Sequence, residues 1–117
     1  MKLMLGTVQF GIPYGAFNAS GQVPLDKVVA MLDVAADAGV RLLDTARAYG
    51  EAEAVLARAG APARFDIVSK CPDLRARADP VAALMGAFES SVAALGGGPL
   101  YGYLLHNASD LVRPGVW

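Results

Sequence analysis

Asp44, Tyr49, Lys70 and His106 form the one set of side chains in this 117-residue sequence that reads as an acid–base device. A phenol with a reference pKa of ~10 is a sluggish acid near neutrality, and an ammonium beside it favours the phenolate and eases proton release. Lys70 would supply that ammonium, Asp44 would hold Lys70 in place, and His106 could orient a carbonyl or share the proton with Tyr49. Each member also has a plainer reading. An Asp that caps, a solvated Tyr, and a Lys and a His that merely end strands are ordinary loop chemistry.

The elements that must position these groups are legible around them. Residues 41–53, RLLDTARAYGEAE, open with Leu42 and Leu43 and reach an acid at Asp44, the pattern of a strand end meeting solvent. Tyr49 and Gly50 then precede a helix, and Glu51 and Glu53 in its first turn suit its positive end. Asp44 and Tyr49 therefore share one strand-to-helix loop, and in α/β proteins ligands bind at the carboxyl ends of the strands.

The rest of the chain alternates in the same way. Residues 2–8 predict a first strand ending at Gly6 and Thr7, with a Gly- and Pro-rich loop over 11–21 behind it. Pro24 opens a helix whose Leu25, Val28, Val29, Leu32 and Ala36 share one face, and Gly39 stops it. After the strand at 41–44, a short helix runs over 51–59 and is stopped by Gly60 and Pro62. A third strand, 65–69, ends at Lys70. Asp79 and Pro80 cap and open a third helix, and its stripe of Val81, Leu84, Met85, Phe88, Val92 and Leu95 predicts Met85 and Phe88 in the core. Gly96 to Gly98 end that helix, and a last strand, 101–105, closes on His106. Residues 107–117 read as a loop or the start of a further element, with Trp117 beginning its packing.

This βαβαβαβ order predicts a single α/β domain with a parallel sheet and right-handed crossovers. The two-residue period groups Gly102, Leu104 and His106 on one face, and Val68 with Lys70. If those faces point into a barrel, the polar tips converge at its mouth.

Composition narrows the function classes. The net charge is −1, from ten basic and eleven acidic residues without clustering, which argues against nucleic acid or an anionic membrane as main partner. The hydrophobic fraction of 55% and mean hydropathy of +0.40 predict strands covered on both faces. No apolar run reaches the ~18 residues of a spanning helix, the start is a poor signal peptide, and a cytoplasmic location is the default expectation. The single Cys71 permits no internal disulfide and no cysteine metal cluster, and with one His no zinc set is expected. Cys71 reads either as a small buried hydrophobe or, beside Lys70, as a reactive thiol. A Rossmann fingerprint is absent because Gly6, Gly11 and Gly15 have the wrong spacing, and no phosphate-cradling P-loop is found.

LGTVQFG at 5–11, DTARAYGEAE at 44–53, IVSK ending at Lys70 and LLHN around His106 together resemble the aldo-keto reductase superfamily. The resemblance implies a (β/α)₈ TIM barrel whose Asp, Tyr, Lys, His tetrad reduces aldehydes or ketones with NADPH, Tyr being the proton donor. It falls residue by residue on Asp44, Tyr49, Lys70 and His106, and it implies that Gly6, Thr7 and Asp44 contact the cofactor. Ala52 departs from the family motif, which usually carries Ser at that position, where it caps or packs the loop.

A whole barrel takes ~250 residues, so residues 1–117 are expected to be a partial domain, the amino-terminal half with the first four strands and three helices. In the family most cofactor contacts come from later strands. The isolated chain is therefore expected to be inactive, with the activity belonging to the parent protein. Its first and fourth strands would be open edges, which invites self-association. Two competing readings stand beside this one: a non-catalytic half-barrel or open sheet acting as a binding or assembly module, and a Schiff-base enzyme using Lys70.

Overall fold

The structure, a computed structural model, describes residues 3–113. Lys2 and Trp117 lie outside the described residues. The strands β1 (Met4–Gly6), β2 (Leu42–Asp44), β3 (Asp66–Lys70) and β4 (Gly102–Leu104) form one sheet in the order β1-β2-β3-β4, every pairing parallel. Between them run the helices α1 (Val8–Gly11), α2 (Leu25–Asp37), α3 (Ala52–Arg58) and α4 (Pro80–Ala94). Short 3₁₀ turns follow at Ala61–Ala63 and Ala108–Val112.

The alternating pattern puts alternate side chains of each strand on opposite faces, and the register sorts them. Leu5, Leu43 and Ile67 share one level and one face. Leu43 and Ile67 meet Phe10 of α1, Val28 and Leu32 of α2, and Val55 and Leu56 of α3 in a single buried cluster, and the partly buried Leu5 packs against it. The α2 stripe is placed as its spacing predicts, with Val28 and Leu32 fully buried and Leu25 at its rim.

Three expectations are corrected. The first strand ends at Gly6, close to its expected end, but residues 8–11 coil into one helical turn where no helix was expected. Thr7 closes the pairing, its backbone N–H and its hydroxyl both donating to the Asp44 carbonyl oxygen at 3.0 and 2.9 Å, and its own carbonyl accepts from the Phe10 N–H at 2.9 Å as the chain turns. Among the described residues there are thus four α-helices where three were expected. In α4, Asp79 caps as predicted, its carboxylate accepting from the Ala82 N–H at 2.9 Å. The stripe is buried only toward its end, however. Leu95 is in the core and Phe88 packs edge-on against Tyr103 at 5.2 Å, whereas Val81 and Met85 are each 49% exposed. The reason is position. α4 covers the edge strand β4, and among the described residues no element lies beyond it.

The third correction concerns coverage. High apolar content predicts strands covered on both faces, but the helices pack on the Leu43 face. On the other face Met4 of β1 is 46% exposed and Leu104 of β4 is 49% exposed. Val68 of β3, on the same face between them, is 6% exposed, and among the described residues no helix is long and apolar enough to cross a membrane.

Candidate active site at the strand tips

Gly6, Asp44, Val68 and Gly102 align across all four strands, and Lys70 pairs with Leu104 two residues further on. Asp44 and Lys70 therefore emerge on the uncovered face, at the carboxyl ends of adjacent strands. Lys70 Nζ reaches both carboxylate oxygens of Asp44 at 2.7 Å and the Thr45 carbonyl oxygen at 3.0 Å. An ammonium has three N–H groups, and here each has an acceptor. That saturation disfavours the Schiff-base reading, which needs a free amine lone pair on Lys70. The pair is partly withdrawn from water, with 16% and 28% of the Lys70 and Asp44 side chains exposed.

Tyr49 stands over this pair. Lys70 Nζ lies 5.2 Å from the centre of its ring, and the His106 ring meets it edge-on at 6.1 Å between centroids, inclined by 80°. All four sequence-predicted residues are thus brought together, His106 from just beyond β4. Tyr103 is not an alternative phenol. It pairs with Ser69, so it faces the helices, where burial pushes its hydroxyl above the usual phenol range.

The Tyr49 backbone is held by close packing. The loop turns at Gly50, whose φ of +58° lies in the left-handed region where glycine carries no penalty. A Cβ at Gly11 would fall 1.7 Å from the Tyr49 carbonyl oxygen and 2.4 Å from the Ala52 nitrogen. One at Gly50 would fall 2.7 Å from the Gly11 carbonyl oxygen. The two glycines let α1 rest directly on the Tyr49 turn. Ala52, the departure from the family motif, is fully buried at this contact and serves as a packing residue.

Of the residues matched to the cofactor, Gly6 is open: a Cβ there would meet nothing within 4 Å. Thr7 is fully buried, and its hydroxyl proton is committed to the Asp44 carbonyl. Its task in this structure is to hold the Asp44 backbone. Cys71 is fully buried as well, which fits the small-hydrophobe reading. Among the described residues no cluster of three His, Cys, Asp or Glu could hold a metal ion. A groove lined by Leu3, Val40, Arg41, Asp66 and Tyr101 sits at the amino ends of the strands, the opposite end from this chemistry.

Sequence reading missed what lies behind the sheet. Glu53, read there as a first-turn acid, is only 2% exposed. Its Oε2 pairs with Arg47 Nη1 at 3.0 Å and its Oε1 accepts from Ser69 Oγ at 2.7 Å. No local signal separates such a carboxylate from a solvated one, because Ser69 comes from another strand.

Parallel β/α units that gather an ion-paired lysine, a phenol and an imidazole at their carboxyl ends define an α/β protein with the strand-tip site of a (β/α)₈ barrel. A model of the aldo/keto reductase family matches residues 2–108, and the chain belongs to that family. Among solved structures it is similar to PA4992 of Pseudomonas aeruginosa, described as a candidate aldo-keto reductase, with 28% identity and a TM-score of 0.78 over 97% of this chain and 47% of that one. A second structure of the same description from that organism has 27% identity and a TM-score of 0.72, over 92% of this chain and 41% of the other. The chain thus spans less than half the length of these structures. No curated protein matches it.

Proposed function

We propose that this chain carries the proton-donating tetrad of an NADPH-dependent reductase that converts an aldehyde or ketone to an alcohol. One observation carries the reading: a lysine saturated by Asp44 and the Thr45 carbonyl lies beneath the Tyr49 ring, with His106 at its edge. The residues present fit a nicotinamide. Gly6 leaves open space beside Asp44, and His106 Nδ1 is buried with no hydrogen-bond partner among the described residues.

Gly6, Asp44 and His106 would border the cofactor, and NADPH, when bound, supplies the hydride to the carbonyl carbon. The chain's own residues do the rest. The Tyr49 hydroxyl gives its proton to the carbonyl oxygen, and the O–H bond that breaks leaves a phenolate facing the Lys70 ammonium. Asp44 holds Lys70 so that its charge is in place before the proton moves. His106 orients the carbonyl oxygen toward Tyr49. A non-catalytic module is disfavoured by the same geometry, because capping residues have no reason to converge on one phenol.

The direct test is to titrate the 117-residue chain with NADPH, following nicotinamide fluorescence, beside an aldehyde turnover assay on the chain and on the intact protein. We expect turnover in the intact protein, and none in the isolated chain, which is proposed to lack most cofactor contacts. An intact protein that binds NADPH yet reduces no aldehyde or ketone would sink the reading.

We also propose that the isolated chain self-associates. β1 and β4 are the outer strands of the sheet, and Met4 and Leu104 add exposed apolar surface on its uncovered face. Sedimentation velocity at micromolar concentration should show species larger than a monomer. A single monomeric boundary would count against it.

A further inference from the structure

Glu53 is a buried carboxylate that the proposed chemistry does not use. Burying a charge is costly unless it is paired and hydrogen-bonded, and replacing a buried ion pair by apolar residues is often neutral or stabilising. Stability alone is therefore a weak account of this pair.

Its partners supply a better one. Arg47 and Glu53 flank the turn that bears Tyr49, so their 3.0 Å ion pair closes that turn like a clasp. Ser69 immediately precedes Lys70 on β3, and its 2.7 Å bond to Glu53 ties the clasp to that strand from behind. The Arg47 N–H adds a second tie, donating to the Lys70 carbonyl oxygen at 3.0 Å. Glu53 thus joins the segment holding the phenol to the strand holding the ammonium, while touching neither reacting group.

We propose that Glu53 is a positioning residue: through Arg47 and Ser69 it fixes the loop that carries Tyr49 against the strand that carries Lys70, and so sets the approach of the phenol to the ammonium. The inference rests on the reading of Tyr49 as proton donor. Small displacements of a reacting group cost large factors in rate, so the effect should fall on kcat and leave KM nearly alone.

The test is a double-mutant cycle in the intact protein with NADPH and an aldehyde. Glu53→Gln keeps the shape and the acceptor for Ser69 while removing the charge facing Arg47. It should lower kcat about 10-fold and change KM for the aldehyde by less than about 2-fold. In a Tyr49→Phe background, which should retain about one-hundredth of the turnover, the same change should cost less than about 2-fold, because the group being positioned is gone. Ser69→Ala, a small apolar replacement, should repeat the pattern with a loss of about 3-fold, and it carries the test if Glu53→Gln lacks the native near-ultraviolet circular dichroism. An equal loss in both backgrounds means a merely structural role and overturns the inference alone. Undiminished turnover in Tyr49→Phe by itself overturns the reading beneath it, and the inference with it.

Discussion

Tyr49→Phe should reduce turnover of the intact protein by about 100-fold or more while leaving NADPH binding and KM for the carbonyl close to wild type. The substitution removes one hydroxyl and keeps the ring. The ring is what Lys70 and His106 pack against, at 5.2 and 6.1 Å. The fold and the ion pair beneath it have no reason to change. Single-turnover measurements with NADPH and an aldehyde isolate the chemical step, where the whole loss should appear. A capping or solvated tyrosine would tolerate Phe, so wild-type turnover would remove Tyr49 from the mechanism.

Gly11→Ala should be the most damaging small substitution in the described chain, costing about 3 kcal/mol of stability. The added methyl would collide with the Tyr49 carbonyl oxygen at 1.7 Å and with the Ala52 backbone nitrogen at 2.4 Å. Both are backbone atoms, so no rotamer change can make room. Either α1 lifts off the turn or the turn moves, and the second choice carries Tyr49 with it. The lower urea midpoint should therefore come with a lower kcat in the variant that still folds. Gly86 provides the control: it lies inside α4, a Cβ there meets nothing within 4 Å, and Gly86→Ala should stabilise by up to about 1 kcal/mol. A Gly11→Ala protein with the wild-type midpoint would refute the close-packing account of how Tyr49 is held.

The candidate site was more legible than the packing around it. Asp44, Lys70 and His106 each come at the end of a short strand pattern, so their placement at strand tips depends on chain order and a two-residue period, which are local properties. Asp79 before Pro80 declared its helix start for the same reason, since a cap needs only its own next turn. Val8 was read with the first strand because a β-branched residue suits a strand, yet it opens a helical turn. The Asp44 carbonyl, which belongs to β2, takes the last pairing bond of β1 from Thr7 before the chain turns.

Local sequence carried the α/β alternation, the four tip residues and the family resemblance, because these rest on neighbours along the chain. That Met85 is half exposed, that Thr7 serves the Asp44 backbone, that Gly11 must be small and that Glu53 is a buried clasp came from the packed fold. Those outcomes depend on what another element brings to the same place: Gly11 meets the Tyr49 turn and Glu53 meets Ser69 on β3. A residue's burial and its hydrogen-bond partners are set by such long-range approach, and no window of local sequence contains it.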